Sequence, residues 1–257
     1  MSLFQPSEVT LNLPLAVASD IDLADLTAPS ARLAIALISI ADKSGRIDVL
    51  KRDLERVVGV RLDNASRLLE PVMHRFLADV TYVRGEQGKT AGIITGRLSG
   101  ELTYGLVGQS AGRTVPIAAD ELRDYRSSAA ITFRLRLAAA FADPATRVAR
   151  WRITAENATQ CFGSTVSSVA ALTRDNSAGE TVTSISLARA GKSVILPAIS
   201  DVNERAENLR VSASMLLDGD ESMQRRRWIA IDVEARRYQK LDLADLAKRA
   251  RHKASIG

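Results

Sequence analysis

The sequence predicts an α+β protein made of two consecutive units that share one order of secondary-structure elements. A helix, a short strand, a second helix, a turn, a third helix and a hairpin follow one another twice along the 257 residues. Each third helix contains a proline, Pro71 or Pro197, opposite its apolar stripe. The hydrophobic content of 46% and the charged content of 25% are ordinary for a soluble globular protein. Because this element order is that of a winged helix-turn-helix, we expect two such domains in tandem.

The first unit is predicted over residues 29–115, after an N-terminal arm or short strand over residues 1–28. Its first helix begins at Pro29, because the apolar residues Leu33 and Leu37 and their neighbours fall on one face. An extended segment over 46–49, a second helix over about 50–58 and a third helix over about 63–78 follow. Asp63 or Asn64 can cap the third helix. Segments 80–83 and 91–95 then flank a glycine-containing turn, which predicts a β-hairpin.

The second unit is predicted over residues 116–238, with a polar insertion at 164–185 and a basic tail at 239–257. An amphipathic helix over about 127–141 and a strand over 148–153 precede a helix that Thr154 can cap and that ends at Phe162. After the insertion, a long helix covers about 187–206, and strands over 209–217 and 228–233 form the second hairpin.

The outward-facing side chains of the two third helices are candidate contacts to double-stranded DNA, because an α-helix fits the major groove. In the second unit, Asp201 and Glu204 are predicted on the far half of the same face, where they repel phosphates. An ordinary solvated face explains any single one of these residues equally well. The candidates are Asn64, Arg67, His74 and Arg75 in the third helix of the first unit, Arg189, Lys192 and Ser193 in the third helix of the second unit, and Arg84, Lys89, Arg225, Arg226 and Arg227 in the hairpins.

Charge and composition favour a nucleic-acid partner over a catalytic or membrane role. The net charge of +5 indicates an anionic partner. No apolar run reaches the roughly 18 residues that span a bilayer, and no leader pattern opens the chain, so we expect a cytoplasmic protein. The lone Cys161 predicts core packing, and His74 and His252 lack metal-ligand spacing, so we expect neither metal nor cofactor. The segment 85–90 places its first glycine too near Lys89 for a phosphate loop, and no catalytic set is found.

Three segments resemble the iteron-type plasmid replication initiators (the Rep family). The segment from Lys192 to Asn203, followed by Leu209-Arg-Val211, is similar to the third helix and next strand of their second domain. Segments 128–137 and 225–231 look like the opening helix and the last wing strand of that domain. Where the family has several adjacent basic residues, this chain has only Lys192 between Gly191 and Ser193.

This resemblance implies an initiator that binds direct repeats at a plasmid origin as a monomer, helps to open the duplex and recruits host replication proteins. It also implies a homodimer that represses its own promoter at an inverted repeat. A winged-helix transcriptional regulator and a protein-binding winged-helix scaffold are the alternatives, and an enzyme is the least favoured class.

Overall fold

A computed structural model of the chain describes residues 9–62, 65–83, 92–103, 113–175, 181–218 and 227–238. Helices and antiparallel strands occur together in both halves of the chain, which confirms the α+β prediction. None of the helices in the described ranges is long and apolar enough to cross a membrane.

The N-terminal segment is part of the core. Strand β1 (Thr10–Pro14) pairs antiparallel with strand β5 (Thr114–Ala118), and helix α1 (Leu15–Asp20) follows β1 directly. Leu13 and Leu23 are completely buried. Of the two alternatives predicted for residues 1–28, the short strand is therefore confirmed for 10–14, whereas a free arm does not describe residues 9–26. Helix α1 was not predicted.

The first unit follows the predicted order of elements. Thr27 caps the first helix by accepting the Ser30 N–H at 3.3 Å, with Pro29 in the first turn. Gly59 ends the second helix with a φ of 73°, a left-handed conformation that favours glycine. The three strands form an antiparallel sheet in the order β2-β4-β3. The elements are α2 (Ala28–Ile40), β2 (Arg46–Leu50), α3 (Lys51–Val58), α4 (Ala65–Phe76), β3 (Leu77–Val83) and β4 (Ile93–Leu98).

Helix α5 (Ala119–Asp124) links β5 to the second unit, which opens with helix α6 (Ser128–Ala140). Ser127 caps α6 by accepting the Ala130 N–H at 3.1 Å. The amphipathic prediction for this helix is wrong, because residues on several of its faces are buried where it packs against α1, α2 and the third helix of its own unit. Helix α6 is thus the central helix of the second unit.

Strand β6 (Val148–Ile153) and helix α7 (Ala158–Phe162) follow α6. The predicted Thr154 side-chain cap is wrong: the helix starts later, so Thr154 accepts the Ala158 N–H through its backbone carbonyl, and its hydroxyl bonds Glu156. The insertion forms helix α8 (Thr165–Ala170) and a hairpin of β7 (Ala171–Asp175) and β8 (Thr181–Ile185).

The long third helix of the second unit contains one π-helical turn. It consists of α9 (Leu187–Ala190), the π turn (Gly191–Ile195) and α10 (Leu196–Arg205). Pro197 has no N–H to donate to the carbonyl four residues earlier, and beside it the Leu196 N–H donates to Gly191 O, five residues back. Strands β9 (Leu209–Asp218) and β10 (Arg227–Arg237) complete a sheet in the order β6-β10-β9.

Candidate nucleic-acid interface

The exposed side of α4 offers hydrogen-bond donors at helical spacing. Leu69, Val72 and Phe76 are buried, whereas Arg67 and His74 are exposed. Pro71 is also exposed, as its predicted phase requires. The carbonyl that the proline leaves without a helical partner therefore lies on the solvent side of α4. Arg67 and His74 form the exposed candidate recognition face of the first unit.

Arg75, which was predicted on the same face, is engaged with the protein. Its guanidinium donates to Ala24 O, lies 3.7 Å from the Asp22 carboxylate and stacks over the Phe76 ring at 5.5 Å from the centroid. A guanidinium held in this way is not free to bind a base edge. We therefore remove Arg75 from the recognition face and assign it to the packing of the N-terminal segment.

Five predicted contact residues lie outside the described residues, together with the two hairpin tips. They are Asn64, Arg84, Lys89, Arg225 and Arg226. The rest of the segment 85–90 also lies outside the described residues.

In the second unit, the exposed basic residues lie on the first two turns of the third helix. Arg189, Lys192 and Ser193 are exposed, while Ala190, Val194 and Ile195 beside them are buried. Ser186 caps this end by accepting the Arg189 N–H at 3.4 Å. Arg227, at the start of β10, is exposed as well. Cations at a helix N-terminus beside free N–H groups are suited to phosphate contact.

The π turn is held against the second hairpin by a glycine. A Cβ atom on Gly191 would lie 2.3 Å from the Trp228 ring, so only glycine allows this approach of helix and strand. The contact brings the π turn, which contains Lys192 and Ser193, directly against β10.

Asp201 was predicted on the solvent face and is instead buried. Its carboxylate accepts the Arg126 N–H at 2.8 Å and pairs with Arg205 at 2.9 Å. Glu204 remains exposed. The negative charge at this end of the helix is therefore smaller than predicted, because Arg205 neutralises one of the two carboxylates.

Asn203 binds the helix to the neighbouring strand. Its side-chain amide donates to Val211 O and accepts the Val211 N–H, both at 2.7 Å. Because β9 is an edge strand, this pair satisfies backbone groups on its outer side. Asn203 ends the segment that resembles the Rep family, and in the structure its side chain positions the helix against β9.

A cleft of about 1040 Å³ borders the N-terminal end of this helix. Its walls come from the insertion hairpin, from the segment before α7 and from the start of β10, and Arg227 lies at its edge. Hydroxyl groups are suited to phosphate and sugar contacts. Its hydroxyl-bearing lining residues are Thr154, Thr183, Ser184 and Ser186.

The open face of the β6-β10-β9 sheet carries three arginines that pair with two carboxylates. Arg152 pairs with Asp232 at 2.8 Å, and both Arg150 and Arg236 pair with Glu234, at 2.7 and 2.6 Å. Hydrogen bonds from these arginines hold the pKa of the Glu234 carboxyl below its usual range. These arginines are therefore engaged in ion pairs within the sheet, and the group keeps one positive charge in excess.

Two further observations on the described residues concern metal binding and thiol chemistry. They contain no group of three His, Cys, Asp or Glu side chains that could hold a metal ion. Cys161 is half-buried against the core, and burial raises the pKa of its thiol, although Arg136 opposes the shift. A raised pKa disfavours the thiolate form, which is the nucleophile.

No protein-family model and no curated protein matches this chain. Among solved structures, the chain is similar to a Pi initiator protein in complex with iteron DNA, with a TM-score of 0.52 at 10% sequence identity. The match covers 93% of this chain and 100% of the initiator chain. It shows a shared fold, and at that level it supports the resemblance to iteron-type replication initiators.

Proposed function

We propose that this chain is a sequence-specific double-stranded DNA-binding protein that acts as a replication initiator through two tandem winged-helix domains. The observation that carries the proposal is the pair of exposed recognition faces, Arg67 with His74 and Arg189 with Lys192 and Ser193. Each face lies on the third helix of a helix-strand-helix-helix-hairpin unit, within a fold shared with an initiator solved on iteron DNA.

In this proposal, α4 and the N-terminal half of the second recognition helix each enter a major groove of one duplex. Arg67 supplies donors that match guanine O6 and N7, and Lys192 can reach the same acceptors. The hydroxyls of the cleft beside α9 and the exposed Arg227 contact phosphates and set the register. The chain binds DNA and does not catalyse a reaction on it.

The biological setting that we propose is the one implied by the resemblance to iteron-type replication initiators. The targets are direct repeats at a plasmid origin, bound by the monomer in the cytoplasm, and the partners are host replication proteins. A homodimer that binds an inverted repeat in its own promoter is the second role. A transcriptional regulator with the same two domains would use the same recognition faces.

A mobility-shift titration tests the proposal. The full chain is titrated with the DNA that flanks its own gene, against random duplex, at two salt concentrations. We expect tight binding to a fragment that holds direct repeats, with a ladder of complexes and an affinity that falls as salt rises. A single complex on an inverted repeat would indicate a regulator, and no preference over random duplex would refute specific DNA binding.

A further inference from the structure

The N-terminal segment from β1 to Ala24 contacts both units. Strand β1 packs on α2 of the first unit, whereas α1 packs on α6 of the second. We call Asp22, Arg75, Arg136 and Ser164 the junction cluster, because these side chains make the polar contacts of this segment.

On the side of the second unit, Arg136 reaches across from α6. Its guanidinium donates to Ala18 O at 2.8 Å and Ile21 O at 2.9 Å, carbonyls at the C-terminal end of α1. The same group donates to Gln160 O in α7 at 3.0 Å. One side chain therefore joins the N-terminal segment to two helices of the second unit, and it satisfies carbonyls that a helix end leaves without partners.

Asp22 continues this link toward the insertion. One carboxylate oxygen accepts the Ala24 N–H at 2.9 Å and the Ser164 N–H at 3.2 Å, and the other accepts the Ser164 hydroxyl at 2.8 Å. Gly163 has a φ of 83°, and a Cβ atom there would lie 2.9 Å from Asp22. The chain turn after α7 is thus shaped to bring Ser164 onto this carboxylate.

On the side of the first unit, the partner is Arg75 at the end of α4. It bonds Ala24 O and faces Asp22 at 3.7 Å, so the Asp22 carboxylate contacts the first recognition helix and the second unit at once. The second recognition helix is bonded to a different segment, because Asp201 accepts the N–H of Arg126 between α5 and α6, directly before the helix that carries Arg136. Each recognition helix is therefore anchored near its C-terminal end to a segment outside its own helix and sheet.

We propose that the junction cluster fixes the distance and the rotational phase between the two recognition helices, and so determines the spacing between the two DNA segments that the protein accepts. This inference rests on the proposed DNA-binding function. A B-DNA duplex turns once in about 10–10.5 base pairs, so one added base pair rotates the second segment by about 35° and moves it by about 3.4 Å. Two helices held rigidly by the junction cluster cannot follow that displacement.

The experiment measures how the affinity changes when the number of base pairs between the two contacted DNA segments is changed. The wild-type full chain selects its target from a random-sequence duplex pool about three helical turns long, and protection from hydroxyl radicals locates the two contacted segments. One or two base pairs are then inserted or deleted between those segments. Affinities for this series are compared for the wild type, Asp22→Ala and Arg237→Ala.

Arg237 is the control because its side chain, like that of Asp22, makes several hydrogen bonds between separate segments, but only inside the second unit, to the carbonyl oxygens of Phe141, Asp143 and Thr146 among others. We expect the wild type and Arg237→Ala to lose about tenfold or more in affinity for each changed base pair, since a rigid pair must deform the duplex. Asp22→Ala should lose less than about threefold, because it removes the carboxylate that joins Arg75 to Ser164 and so makes the junction between the units less rigid.

The outcomes separate the two proposals. If the wild type selects no target sequence, the proposed function itself is refuted. If the wild type selects one but Asp22→Ala discriminates between spacings as strongly as Arg237→Ala does, the spacing role is overturned while DNA binding stands. Should Asp22→Ala fail to fold, Arg75→Gln makes the same comparison. It removes the contacts of the first unit with Ala24 and Asp22, and its side chain lies at the surface.

Discussion

The two recognition helices present similar side chains but are held in place by different means. Helix α4 is anchored at its C-terminal end by Arg75, which binds the N-terminal segment. The second recognition helix is fixed at its start by the contact of Gly191 with Trp228, and near its end by Asp201 and Asn203. Its position relative to its own sheet is therefore determined at both ends.

This difference indicates that the two helices should respond differently to substitution. Loss of a contact along the second helix should reduce the stability of its unit, because the contacts are buried and specific. Helix α4 is held in its own unit by the buried Leu69, Val72 and Phe76, so loss of the Arg75 contacts should change its position relative to the second unit more than its folding.

The largest effect is expected from Asn203→Leu. The change leaves the Val211 N–H and C=O without their partners, and each buried unpaired group costs about 1–3 kcal/mol, so the free energy of unfolding should fall by about 2–4 kcal/mol. Urea denaturation measures it. Ser200→Ala, on the exposed side of the same helix, should stay within about 0.5 kcal/mol of the wild type. Equal losses in the two variants would show that the bond between helix and strand contributes nothing.

A somewhat smaller loss is expected from Gly191→Ala. The new methyl group would meet the Trp228 ring, and such overpacking typically costs about 1–3 kcal/mol. Gly100→Ala is the matched control, because a Cβ atom at Gly100 meets nothing within 4 Å. In thermal unfolding, Gly191→Ala should unfold at a lower temperature than Gly100→Ala. If Gly191→Ala were as stable as the wild type, the packing of the π turn against the second hairpin would be contradicted.

Arg67→Ala and Lys192→Ala compare the two recognition faces directly. Each should weaken specific DNA binding by about 1–3 kcal/mol if its side chain contacts a base, with little change in folding. Arg150→Ala removes one positive charge from the open sheet face and serves as the control for net charge. Fluorescence anisotropy on the selected duplex measures the three variants. Unchanged affinity in both helix variants would refute the placement of the recognition faces.

The smallest effect concerns acid stability. Burial opposes ionisation of Asp22, but hydrogen bonds from Ala24 and Ser164 and the charge of Arg75 outweigh it and lower the pKa of this carboxyl below its ordinary value of 3.8. The ionised form therefore stabilises the folded chain above that pH, and its contribution is lost as the pH falls through the lowered pKa. Asp22→Asn lacks this contribution at every pH.

Urea unfolding of the wild type and Asp22→Asn, measured at a series of pH values, tests this. The difference in unfolding free energy should be constant near neutral pH and should shrink below pH 3.8. A difference that stays constant as the pH falls through that range would show that Asp22 has an ordinary pKa.

Local sequence patterns were sufficient to predict the order of helices and strands in both units. The apolar spacing of α2, the proline phases and the alternating strands depend on neighbours in the chain, so they can be recognised without the fold. The exposure of Arg67, His74, Arg189, Lys192 and Ser193 follows from the same periodicity.

The contacts between distant residues could not be predicted in this way. Asp201 looked like a solvent-exposed carboxylate, because its partner Arg126 lies 75 residues earlier in the chain. Residues 1–28 were predicted only as an arm or a short strand, since nothing local shows that Arg136 and Ser164 bind this segment. The close contact of Gly191 with Trp228 was not predicted either, because the two residues are separated by a helix and a strand.

The central claim is that both recognition helices contact one duplex at the same time. Hydroxyl-radical footprinting of the monomeric wild-type chain on its selected duplex tests it most directly. We predict two protected segments on one face of the duplex, about one helical turn apart, and weaker protection of one segment in Arg67→Ala and of the other in Lys192→Ala. A single protected segment, unaffected by one of these substitutions, would contradict the claim.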